Sequence, residues 1–292
     1  MKYYRRKILL ALIEVFDGKL KNTDCQKLLF NFCKMTGKNH YDFFPHRFGP
    51  FSFVSYYDKK RLTELGLLKP TQSFQLNKKH SYLREIKLSD KKALIELKAS
   101  GLRGKRLIQK TYRENPQFTV NSELLDKLFD QDEIRQLQFA WNRDKKPLVF
   151  TIGYEGETID SFLYKLIFNN IKAVVDVRNN PQSMKYGFSK KIFGEFIEKA
   201  GLKYFHIPEL GISSVMRKRL GQTLTHKKLF DRYESNLLPK QKDAKTYLLN
   251  LIAKYPRIAL VCFEADHRFC HRYTLVKNLK KGKKLSKAVI HL

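Results

Sequence analysis

A chain of 292 residues is long enough for two domains, and 42% hydrophobic with 13% aromatic residues excludes a disordered polar chain. The 58 Lys and Arg against 28 Asp and Glu leave a net charge of +30. That excess points to a polyanionic partner, nucleic acid ahead of a membrane surface, with a dispersed lysine-rich surface as the bland alternative.

No apolar run reaches the length of a membrane span, so no membrane partner is expected. The start of the chain joins basic residues to an apolar run. Glu14 interrupts that run and no small-residue cleavage site follows, so an amphipathic helix over 4–16 is expected rather than a signal peptide. The cysteines, Cys25, Cys33, Cys262 and Cys270, form no disulfide framework for a chain this long. Reduced thiols and a cytoplasmic location are therefore expected. No Cys-x-x-Cys pair occurs, so a standard structural zinc site is not expected, no metal site is assigned, and the cofactor is left unknown.

Asp17-Gly18 stops the first helix, Asn22-Thr23-Asp24 offers a cap for a second over 25–35, and Gly37 ends it. An aromatic loop covers 40–50 and a third helix 51–65. Two β-prone pieces, 73–76 and 82–86, read as a hairpin with a basic tip at Lys78-Lys79. Three helices and a basic hairpin outline a winged helix, which sets a nucleic-acid module over 1–90 against a helical module for a protein partner. Residues 91–146 read as a helical extension and linker. Arg103, Lys105, Arg106, Lys110 and Arg113 form a basic face there, with Tyr112 among them, fit either to track phosphates or to stay solvated.

Lys27-Leu28-Leu29-Phe30 and then Phe44 to Ser52 (Phe-Pro-His-Arg-Phe-Gly-Pro-Phe-Ser) resemble the pattern of the Panacea, antitoxin-like, domains. The resemblance implies protein or nucleic-acid recognition rather than chemistry.

From 147 to 292 strand and helix patterns alternate. Strands are expected at 148–152, 173–177, 203–207, 258–262 and 287–291, with helices at 159–169, 189–200, 226–237, 241–254 and 273–279. This predicts an α/β domain, a mainly parallel sheet covered on both faces in three layers. Polar residues gather where the strands end, and in such sheets the crevice beyond the carboxyl ends binds ligands.

Gly153 and Gly156 would let backbone amides approach an anion, with tight turns as the alternative. Asp176 would orient Arg178, and Arg178 and Arg272 would grip phosphate or carboxylate or else be structural. Tyr154 and His206 complete the binding set, and His206 is also a candidate proton shuttle. Glu209 and Glu264 are candidate acid and base or metal ligands, and His271 a proton shuttle. Cys270, at a predicted helix N-terminus, is a candidate nucleophile with a lowered pKa, or a packing residue. Cys262 is assigned to packing.

Gly153-Tyr154-Glu155-Gly156, Asp176 to Ser183, Gly187-Phe188-Ser189, Tyr204, His206, Glu209-Leu210-Gly211, Cys262-Phe263-Glu264 and Cys270-His271-Arg272 together resemble the domain of unknown function family 488. That resemblance implies a three-layer α/β fold with its shared polar residues at the strand ends. Many members carry Arg after Pro-x-Ser, where this chain has Met184 and then Lys185. The expected function is an enzyme acting on nucleic acid or a nucleotide, of hydrolase type. The alternatives are a DNA-binding regulator or antitoxin-like adaptor with an anion-sensing pocket and, resting on Cys270, a sulfurtransferase.

Overall fold

The computed structural model describes residues 3–78, 80–141, 144–213, 215–216, 225–282 and 284–292. It divides into two units, 1–142 and 143–292. No helix among the described residues is long and apolar enough to cross a membrane.

The first unit is mainly helical. Helix α1 (Tyr4–Val15) buries Ile8 to Ile13 almost continuously. Helix α2 (Asn22–Thr36) ends at Gly37 in the left-handed conformation. The aromatic segment that follows folds into a hairpin of β2 (Phe44–His46) and β3 (Gly49–Phe51), with Arg47-Phe48 at its turn. Ser52 caps α3 (Phe53–Glu64) by accepting from the Ser55 amide. Helices α4 (Leu88–Ala99) and α5 (Gly104–Glu114) pack on α2 within this unit, followed by α6 (Leu125–Leu128) and α7 (Gln131–Phe139).

Among the described residues of 73–86 no hairpin pairing forms, and Lys79 at its expected tip lies outside them. Phe74–Gln75, strand β4, pairs instead with β1 (Lys19–Leu20), which puts Phe74 against the core beside Leu20. Tyr82–Arg84 curls into a 3-10 turn. Its Tyr82 is buried and the Leu83 amide donates to Glu14 Oε2 at 2.8 Å, so α1 takes the hydrogen bonding that a partner strand would have received. Tyr112 is also relocated: it is fully buried and stacked on Phe129, not displayed on a basic face.

The second unit is a five-stranded parallel sheet. Its strands are β5 (Leu148–Gly153), β6 (Ala173–Asp176), β7 (Lys203–His206), β8 (Arg257–Cys262) and β9 (Ala288–His291), in the order β7-β6-β8-β5-β9. The three inner strands are apolar and buried on both faces, as a covered parallel sheet requires.

Helices α8 (Ile159–Phe168) and α9 (Lys190–Lys199) join β5 to β6 and β6 to β7. A reciprocal Thr158–Ser161 cap starts α8. Helix α10 (His226–Arg232) runs into a π turn at Tyr233–Leu237 where a longer α-helix was expected. Helices α11 (Lys242–Lys254) and α12 (His271–Lys281) complete the unit. Leu248, Leu251, Leu275 and Leu279 from these helices share one core with Val149, Val175, Ile258 and Leu260 from the sheet.

Candidate functional site

Because the strands run parallel, their carboxyl ends lie together. The register sets Gly153 beside Cys262, and Asp176 beside both Val261 and His206. The polar segments after β5, β6, β7 and β8 therefore meet at one edge, where ligands bind in open α/β sheets.

The loops after β5 and β8 are zipped together. The amides of Tyr154 and Glu155 both donate to the Phe263 carbonyl, and the Ala265 amide donates to Glu155 Oε2. A Cβ at Gly153 would stand 1.8 Å from the Glu264 carbonyl oxygen. Gly153 thus serves close backbone packing, not the approach of an anion.

Asp176 is fully buried and accepts from Arg178 Nε at 2.8 Å, Arg178 Nη2 at 2.6 Å and Tyr204 Oη at 2.9 Å. Arg178 Nη1 donates to Tyr154 Oη and to the Phe188 carbonyl. Burial by itself would lower the Arg178 pKa, but the hydrogen bonds and charge of Asp176 outweigh it and raise it. Tyr154 stacks on Phe188 with ring centroids 4.3 Å apart. Arg178 is thereby a fixed wall, its guanidinium engaged on three sides. His206 Nε2 lies 2.9 Å from the Arg178 carbonyl and braces the same turn.

Arg272 is also engaged within the protein. It is fully buried and donates to the Glu264 and Ala265 carbonyls at 2.5 and 2.9 Å, supporting the loop after β8. His271 is buried, with Nε2 at 3.1 Å from the Val177 carbonyl. Cys270 is 1% exposed. Burial raises its thiol pKa well above the usual value, with Cys262 and Glu264 adding to the rise and Arg272 partly opposing it. This direction is opposite to the lowering expected at a helix N-terminus, because burial disfavours the thiolate. Glu209 is exposed on the 3-10 turn Pro208–Leu210, and no described hydrogen bond joins it to this network.

A cavity of about 270 Å³ opens over this edge. Asn179, Asn180, Gln182 and Ser183 line one side; Phe263 and Ile212 supply apolar surface, and Tyr154 and Arg178 complete the wall. The amide-bearing residues and Phe263 carried no assigned role in the sequence reading. Their signal was position: Asn179-Asn180 directly follows the β6 turn and Phe263 directly follows β8. Lys185, in the segment after the Asn-Asn-Pro run, donates to the Tyr154 carbonyl at 3.0 Å rather than facing solvent alone.

The first unit has its own cavity, of about 290 Å³. Lys27, His46, Arg47, Phe48 and Phe51 line it together with Gln26 and Tyr56. Lys27 is 1% exposed, donates to the Pro50 carbonyl at 3.0 Å, and is lowered by burial to about 7, with Asp24 opposing. Gln26 receives the Ser52 amide and donates to Ser55 Oγ, fixing α2 to the cap of α3.

No curated protein and no solved structure matches the chain. Residues 158–279, from the cap of α8 almost to the end of α12, match the model of the family described as domain of unknown function DUF488, and the greater part of the second unit is thus similar to that family.

Proposed function

We propose that the second unit is a recognition module for a nucleobase, carried by a nucleotide or by single-stranded nucleic acid. The observation that carries this reading is the strand-end cavity. The side amides of Asn180 and Gln182 offer paired donors and acceptors of the kind that read base edges, beside Asn179, whose Nδ2 donates to the Pro208 carbonyl at 3.2 Å, and the Phe263 ring offers a stacking surface. A volume of about 270 Å³ is at the small end of ligand sites and suits one base with its sugar. The 30 basic against 13 acidic residues of 143–292 supply the field for a phosphate backbone.

Binding ranks ahead of hydrolysis because Cys270 and His271 are buried and Arg178 and Arg272 are committed to internal hydrogen bonds. The test is titration of the full chain with mononucleotides and short single-stranded oligonucleotides. Saturable binding that weakens at least about tenfold in Asn180→Ala and Phe263→Ala, with folding unchanged, supports the reading, each lost contact being worth about 1–3 kcal/mol. Absence of binding overturns it, and turnover of the same ligands with loss in Glu264→Gln would favour the hydrolase.

For the first unit a recognition role is favoured by its own cavity. Both segments that carry the antitoxin-like resemblance border it, joined by the bond from Lys27 to Pro50. A winged-helix reading has no support from the fold of 73–86, where no hairpin pairing forms among the described residues.

A further inference from the structure

Cys262 ends β8, and Cys270 and His271 begin α12, so a strand end and a helix start bring three potential ligands to one point. His271 Nδ1 is 3.5 Å from Cys262 Sγ and 3.9 Å from Cys270 Sγ. The three ligand atoms all lie within 4.8 Å of one another. Around a tetrahedral zinc ion with bonds of about 2.0–2.3 Å, ligand atoms stand about 3.5–3.8 Å apart. The spacing between imidazole and thiols is therefore already that of a coordination polyhedron.

The imidazole is also turned correctly. A backbone carbonyl can only accept, so Nε2, at 3.1 Å from the Val177 carbonyl, carries the hydrogen. Nδ1 then presents its lone pair to the two sulfurs. Metal-bound histidines hold this arrangement, with the second ring nitrogen donating to a carbonyl or carboxylate. Glu264 Oε2, at 3.2 Å, accepts the Cys262 thiol hydrogen and so stands beside this cluster. A set of two sulfurs and one imidazole suits zinc rather than magnesium or calcium.

We infer that Cys262, Cys270 and His271 form a binding site for one zinc-class divalent cation, with a fourth position left for a ligand from outside this cluster. The ion would pin the start of α12 to the end of β8 and hold the intervening loop, which carries Phe263. None of the three buried ligands lines the strand-end cavity, so the metal site does not depend on the base-recognition reading. No electron transfer is involved: thiol protons leave as the cation binds, and the thiolates become its ligands.

The experiment is metal analysis of the reduced full-length protein by inductively coupled plasma mass spectrometry, joined to a cobalt(II) titration followed by absorption. One zinc per chain is expected, together with sulfur-to-cobalt charge-transfer absorption and the intense visible bands of four-coordinate cobalt. Cys262→Ser and Cys270→Ser should each weaken both signals, while Cys25→Ser and Cys33→Ser, in the first unit, should leave them unchanged. If the second-unit variants fail to fold, the wild-type titration still decides. A folded, reduced wild type that takes up neither metal, or that gives only a Cys262–Cys270 disulfide on oxidation, overturns the site. A failed nucleotide titration would leave this result untouched.

Discussion

Each unit holds a fully buried carboxylate paired with arginine, Asp58 in the first and Asp176 in the second, and the two behave differently. In the first, Asp58 on α3 accepts from Arg5 Nε at 2.6 Å, Arg6 Nε at 2.7 Å and Tyr41 Oη at 3.0 Å. It gathers partners from α1 and from the segment before β2, so it locks helices together. In the second, Asp176 holds Arg178, only two residues away, and Tyr204. That knot is local, and its guanidinium reaches on to Tyr154 and the Phe188 carbonyl to form a cavity wall. A satisfied buried ion pair is thus no sign of a functional site by itself. The adjacent cavity marks the second one, and in the first unit the cavity lies elsewhere, beside Lys27.

The comparison is broken most directly at Asp176. Asp176→Ala leaves the buried Arg178 charge without its partner and should cost about 3–5 kcal/mol, read from chemical denaturation of the full chain, with base binding lost as the wall relaxes. A loss under about 1 kcal/mol would mean that Arg178 finds water, and the wall would not be fixed. Asp58→Ala should cost about 3 kcal/mol, since Arg6 is buried while Arg5, with its side chain 27% exposed, can turn to water. Base binding in the second unit should be unaffected, and a parallel loss there would erase the distinction.

Gly153→Ala should cost about 1–3 kcal/mol, because backbone rather than a movable side chain opposes the new Cβ. It should also weaken base binding by parting the loop that carries Phe263.

An effect spread over a pH window concerns Lys27. Burial lowers it from 10.5 to about 7, so between these values the unfolded chain holds a proton that the folded chain lacks. Stability should therefore rise as pH increases from 7 toward 10.5, by at most about 1.4 kcal/mol per unit. Lys27→Met should flatten that slope in denaturation curves recorded across the window, and a slope of equal size in the variant would assign it to other groups.

The amino-acid pattern alone determined the alternation of apolar strands with helices after 147, the parallel sheet and the gathering of polar residues at its carboxyl edge. Each of these follows from local periodicity, which a sequence displays directly. It did not determine the fate of 73–86, because β-prone pieces do not name their partners, and the buried Phe74 found Lys19–Leu20 rather than its neighbour. Tertiary structure also decided what each polar residue does. Arg178 and Arg272 read as anion grips or as structural residues, and in the fold their donors meet Asp176, Tyr154 and backbone carbonyls. Cys262 read as packing, and the turn from β8 into α12 brings its sulfur to 3.5 Å from His271 Nδ1, which is itself 3.9 Å from Cys270 Sγ. Charge, hydrogen bonding and coordination depend on distances of a few ångströms between residues far apart in the chain, and only the folded sheet sets those distances.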